Sequence, residues 1–270
     1  MKGQTSHSLP EANKSLGQHW LTDAKTLETI CDFADVIKGD CVLEIGPGKG
    51  DLTAKLLESG AEVVAVEVDK SLEADLLAKF GSLPFSLNML SIIDFNLSKM
   101  PKDYKVVANI PYYLTSHLLR MLLETQHKPK SIVLLVQKEV ALRIAAKPGQ
   151  MSLLSVSAQY FCDVELGQVI PAKLFTPPPK VDSQIIRLIP RKLPLFKATD
   201  NKQFFRLVKA GFSNRRKTLL NSLSNGLQLS RTETEYLLNK ADLTPNFRPQ
   251  ELGLDEWHKL YLINKSQNNT

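Results

Sequence analysis

Cysteine is scarce in this 270-residue chain, and the three present (Cys31, Cys41, Cys162) are odd in number, far apart and without a C-x-x-C pairing. That spacing argues against a disulfide framework and against a zinc site, and it fits a reducing, cytoplasmic compartment. Long apolar runs are missing too. The longest, IVLLV at Ile132–Val136, falls far short of the roughly 20 residues a membrane helix requires. The first fifteen residues are polar, with no apolar signal-peptide core. Neither a membrane nor a metal partner is expected, and nothing in the sequence demands more than a monomer. Acidic residues are scarce in the last hundred positions, where 17 Lys+Arg face 8 Asp+Glu, against 17 and 20 in residues 1–170. The net charge of +6 therefore comes from the C-terminal part, mostly between Lys173 and Lys217. Such an asymmetry suits a polyanion such as nucleic acid, because cations that neutralise phosphates release counterions.

What is present is a strand–helix alternation. CVLEIGPGKGDLTAKLLESG (Cys41–Gly60) reads as a buried strand, a glycine turn and an amphipathic helix. EVVAVEVD, FSLNM, YKVVANI and SIVLLVQ read as further strands, most of them separated by helical patterns such as SHLLRMLLET and KEVALRIAAK. CDVELGQVI and DSQIIRLIP add two strands with no helix between, a candidate antiparallel pair at the sheet edge. The pattern predicts an α/β fold: a doubly wound, mostly parallel seven-stranded sheet. After Pro190, RKLPLFKATD is linker-like and the remainder is helical only. On KQFFRLVKAGF, Phe204, Leu207 and Val208 share one face, opposite Lys202, Arg206 and Lys209. Two domains are expected: 1–195, a ligand-binding catalytic domain, and 196–270, a small basic all-helical one.

Gly46, Gly48 and Gly50 lie between a strand and a helix, where glycine permits a tight turn and close approach of a ligand. Glu67 ends the next strand, 21 residues after Gly46, where an ionised acceptor suits a ribose diol. A dinucleotide and S-adenosylmethionine both fit; the G-x-G-x-G spacing with Glu44 beside it leans towards the second. Asn109, followed by Pro111 and Tyr112, ends the fourth strand in the same crevice. Adenine's exocyclic amine is a poor nucleophile because its lone pair is delocalised. The Asn109 side-chain oxygen and a backbone carbonyl, that of Ile110, could accept its two hydrogens and free the lone pair for in-line attack. Pro111 fixes the turn, and Tyr112 offers a stacking face worth about 1–3 kcal/mol.

KSLGQHWL, VLEIGPGKGDLT, ANIPYYLTS, LFTPPPKVDS and GFSNRRKTLLNSL occur in that order from Lys14 onward. Together they resemble the ribosomal RNA adenine dimethyltransferases, specifically the KsgA/RsmA small-subunit branch. The resemblance implies S-adenosylmethionine as methyl donor and dimethylation of two adjacent adenosines in the 3′-terminal helix loop of 16S rRNA. It also implies a partly assembled small subunit as substrate. By the same resemblance Gly46 and Gly48 belong to the cofactor loop, Glu67 binds ribose, and Asn109 meets the target amine and lines the cofactor pocket. Tyr112 and Phe175 sandwich the flipped base. His19 and Leu21 occupy cofactor-contacting positions. The basic run Arg215, Arg216 and Lys217, in the positively charged C-terminal part, is the candidate RNA-binding patch. Two departures stand out. His19-Trp20 replaces the usual Asn-Phe, and the position that holds the cofactor's adenine amine is Ser91 rather than Asp, with Asp94 three residues on as the alternative. The competing readings are a large-subunit dimethyltransferase of the macrolide-resistance type, a non-catalytic assembly factor with the same fold, and a nicotinamide dehydrogenase. The last lacks an evident hydride-transfer base and leaves the basic tail unexplained.

Overall fold

The structure, a computed structural model, describes residues 16–110, 114–193, 195–197, 199–214 and 216–267. Its elements follow the predicted alternation: β1 (Trp20–Leu21), α1 (Ala24–Phe33), β2 (Cys41–Ile45), α2 (Asp51–Glu58), β3 (Glu62–Glu67), α3 (Glu73–Phe80), β4 (Phe85–Met89), β5 (Lys105–Asn109), α4 (Thr115–Glu124) and β6 (Ser131–Gln137). There follow α5 (Lys138–Ile144), α6 (Leu153–Phe161), β7 (Cys162–Ile170), β8 (Phe175–Thr176), β9 (Ser183–Pro190), α7 (Asn201–Phe212), α8 (Leu219–Leu227), α9 (Arg231–Lys240) and α10 (Leu254–Gln267).

Seven strands form one sheet in the order β4-β3-β2-β5-β6-β9-β7. The first five are parallel, and β9 runs antiparallel to β6. β9 and β7 are neighbours, as their sequences suggested, with β7 at the edge and β9 one place in. Parallel strands covered by helices are buried on both sides, which is why they read as continuous valine-rich runs. On one face Val42, Val63, Val107, Val133 and Ile185 pack with Leu27 and Ile30 of α1 and Leu52 and Leu56 of α2. Asp23 caps α1, accepting from the Thr26 amide at 2.9 Å and hydroxyl at 2.6 Å.

The chain divides into two compact units, but not at one point in sequence. One unit runs through Lys138 and takes up Glu165–Ile189; the other holds Glu139–Val164 and the chain from Pro190 onward. The second unit has its own core. Met151, Val156 and Tyr160 pack there with Phe204, Leu207 and Val208 of α7, Leu223 of α8, Leu238 of α9 and Trp257 of α10. The expected 1–195 domain spans this division: residues 139–164 fall in the second unit, where Val156 and Tyr160 of α6 are buried among the C-terminal helices. RKLPLFKATD is also more than a linker. Arg191 pairs with Asp163 at 2.7 Å, Phe196 stacks on His258 with centroids 3.8 Å apart, and the Asp200 amide donates to the Tyr261 hydroxyl at 2.9 Å. Among the described residues no helix is long and apolar enough to cross a membrane.

Candidate active site

The turn after β2 is built by backbone that only glycine adopts freely: φ is +70° at Gly46, +58° at Gly48 and +87° at Gly50. A Cβ on Gly48 would come within 3.3 Å of the Trp20 ring, so the loop and the N-terminal segment are in close contact. The Gly46 amide donates to the Val66 carbonyl at 2.9 Å, tying the loop to the end of β3. There Glu67, 5% exposed, accepts from the amides of Gly48 (3.2 Å), Val68 (2.8 Å) and Asp69 (2.9 Å). Burial raises its pKa, and the three amide donors work against that rise.

Loop, Glu67 and the ends of β4 and β5 surround a cavity of about 340 Å³. His19, Leu21, Gly46, Gly48, Glu67, Ser91 and Asn109 all line it, so the expected cofactor residues converge. Ser91 faces the cavity and caps the short helix after β4, accepting from the Ile93 amide at 3.3 Å; Asp94 is exposed and is not part of the lining. The side-chain amide of Asn109 donates to the His19 carbonyl at 3.4 Å. Phe175 is placed differently from an open stacking face. It is 3% exposed, paired across β1–β8 with Leu21, and packed in the core with Leu27 and Ile30. Pro111, Tyr112 and Arg215 lie outside the described residues; Arg216 and Lys217 are exposed in the second unit.

Several lining residues had no assigned contact from sequence alone. Trp20 is 9% exposed, carries the Lys49 ammonium 3.8 Å from its ring centroid, and has a buried indole N–H without a partner among the described residues. Glu44 is 1% exposed; one oxygen accepts from the Thr53 hydroxyl at 2.6 Å and the other has no partner there. Burial, helped by the nearby Glu67 charge and offset by the Thr53 hydroxyl, pushes the Glu44 carboxyl up to about 8. Gln18 donates to Asp69 at 2.8 Å. An unpaired buried donor and an unpaired buried acceptor in one cavity are what a polar ligand with both kinds of group would satisfy. Among the described residues no cluster of three or more His, Cys, Asp or Glu side chains could hold a metal.

A glycine loop after one parallel strand, an acid at the tip of the next, and a crevice beyond the strand ends define a doubly wound α/β fold of the nucleoside-ligand-binding class. The family model described as ribosomal RNA adenine dimethylase matches residues 10–264, and the chain belongs to that family. It is 42% identical to a ribosomal RNA small subunit methyltransferase A of Dehalococcoides mccartyi, over 93% of this chain and 88% of that protein. To the protein of the same name from Clostridium acetobutylicum it is 37% identical, over 92% of each. Among solved structures, a dimethyladenosine transferase from Plasmodium falciparum superposes with a TM-score of 0.77 at 28% identity, covering 93% of this chain and 98% of that one. The 23S rRNA methyltransferase ErmE superposes at 0.72 and 26% identity, covering 90% and 98%.

Proposed function

We propose that the protein transfers methyl groups to the exocyclic amine of adenosines in small-subunit rRNA, two on each of two adjacent adenosines in the 3′-terminal helix loop. The observation that carries this reading is the chain-long similarity to small-subunit methyltransferases, at 37–42% identity over more than 90% of the sequence. The cavity agrees with it. S-adenosylmethionine, when bound, supplies an electrophilic sulfonium methyl. Glu67 is the acceptor for its ribose hydroxyls, Ser91 for its adenine edge, and the unpaired atoms of Glu44 and Trp20 suit a ligand with a cationic and an anionic end. Asn109 Oδ1 and the Ile110 carbonyl accept the two hydrogens of the target amine, which localises its lone pair for attack. Tyr112 is proposed as the stacking surface for the base. Phe175 would serve as its second face only if the buried β1–β8 pair opens. The methylated amine is acidic and gives its proton to water, so no strong general base is required.

The second unit, with Arg216 and Lys217 on its surface, is proposed as the RNA-binding part; the substrate is a partly assembled subunit in the cytoplasm, met by a monomer. The likeness to ErmE supports large-subunit RNA as a second reading. Purified protein with labelled S-adenosylmethionine, offered undermodified small subunits beside large-subunit RNA, separates the two. Dimethyladenosine only in the small subunit is the expected product. Label only in large-subunit RNA would establish the second reading.

A further inference from the structure

The segment Gly17–Leu21 lies along the cavity, and three consecutive side chains pin it to three different loops. Gln18 donates to Asp69 beyond β3 at 2.8 Å, and Trp20 sits under Lys49 of the glycine loop at 3.8 Å. His19 meets the Pro177 carbonyl beyond β8 through Nδ1 at 2.7 Å. A carbonyl only accepts, so Nδ1 carries the proton and donates. The backbone carbonyl of this same residue receives the side-chain amide of Asn109.

An asparagine amide has two ends of opposite character, and which end faces a neighbour is dictated by that neighbour. Opposite the His19 carbonyl only the N–H₂ end is tolerated, since carbonyl against Oδ1 would set two acceptors face to face. Planarity then sends Oδ1 about 120° away from Nδ2. The residue therefore presents an acceptor, the end that a target amine needs.

We propose that His19 is a positioning residue for Asn109: the ring, anchored on Pro177, fixes the peptide plane of residue 19, and its carbonyl holds the Asn109 amide in the acceptor-out orientation. The inference rests on the function proposed above. At 3.4 Å the Asn109 bond is long, so the orientation depends on the strap staying in place, and the 2.7 Å ring anchor supplies that constraint. The side-chain amide nitrogen of an asparagine lies as many bonds from the backbone as histidine Nδ1 and is also a donor; an aspartate has the same shape but only accepts.

Three full-length variants test this: His19→Ala, His19→Asn and His19→Asp, with kcat, KM for S-adenosylmethionine and cofactor affinity by calorimetry measured on each, and thermal melting as a check on folding. Misplacing a reacting group by about 1 Å costs on the order of 100-fold in rate. His19→Ala and His19→Asp should lose about 10- to 100-fold in kcat with cofactor affinity changed less than about threefold. His19→Asn should return to within about threefold of the parent kcat. Loss of cofactor affinity in step with kcat would make His19 a cofactor contact and overturn the proposal, as would Asp and Asn behaving alike. A parent protein that transfers no methyl to either subunit would instead overturn the proposed function itself. Parent activity with an unimpaired His19→Ala removes the positioning role alone.

Discussion

Glu44 and Glu67 share one cavity, yet their surroundings treat them differently. Glu67 has three amide donors and Glu44 a single hydroxyl; burial outweighs that one Thr53 bond and lifts Glu44 to about 8. A carboxyl whose folded pKa exceeds its unfolded value contributes stability that is fully present below the unfolded pKa, near 4.5, and is lost as pH rises through about 8. Relative to Glu44→Gln, the ligand-free parent should therefore lose stability progressively from pH 5 to 8; denaturant titrations of both proteins across the range measure it. A cationic ligand favours the ionised carboxylate, so its binding near pH 7 should release close to one proton, seen as a buffer-dependent binding enthalpy that Glu44→Gln abolishes. For Glu67 the milder probe is glutamine, whose one oxygen can still accept from the Val68 and Asp69 amides and which gives up only the acceptor for Gly48. Glu67→Ala strands three amide donors, each unmade bond costing about 1–3 kcal/mol, so stability falls along with affinity. Glu67→Gln should raise the S-adenosylmethionine requirement by about tenfold, the equivalent of one lost charge-assisted bond. Saturation kinetics beside a melting curve separate the two effects.

At the scale of elements, the glycine loop is the part most tightly constrained by sterics. Gly50 starts α2 at φ +87°, and a Cβ there would run into the Phe80 ring, with Cζ at 2.9 Å and Leu76 Cδ2 at 3.1 Å. Gly50→Ala combines a left-handed backbone with overpacking and should destabilise by about 2–4 kcal/mol, lowering the urea midpoint with little change in slope. The strands on which this loop hangs were legible beforehand, since runs such as IVLLV are the signature of strands buried on both faces. Ser91 was placed by the family resemblance alone, whereas Glu67 and Asn109 were legible for a related reason, since each ends a recognisable strand. The contacts closing the site were not. Gln18 with Asp69, His19 with Pro177 and Asn109 with His19 join positions 51, 158 and 90 residues apart, and no local pattern encodes such pairings. The burial of Phe175 and the allegiance of α6 escaped for the same reason, because an apolar face shows that it will be covered and not by what.

For the whole molecule, the uneven charge is the feature that sequence reports most directly, and it bears on RNA. Each phosphate neutralised by a side chain contributes about 0.7–0.9 to the slope of log affinity against log salt. Arg216 and Lys217 are exposed in the helical unit, in the stretch where basic residues outnumber acidic ones. If both contact phosphates, the Arg216→Ala/Lys217→Ala protein should bind undermodified small subunits more weakly, with a salt slope smaller by about 1.4–1.8. Methylation of the RNA that does bind should proceed at the parent rate under single-turnover conditions, because neither residue belongs to the cavity. Lys102→Ala supplies the control: it too removes an exposed cation, but from the part of the chain with a net charge of −3, and should leave the slope alone. Equal slopes for all three proteins would remove the Arg216–Lys217 patch from the footprint and require another surface to bear the phosphates. A reduced slope in the double variant alone would tie the C-terminal excess of positive charge to RNA through two named residues.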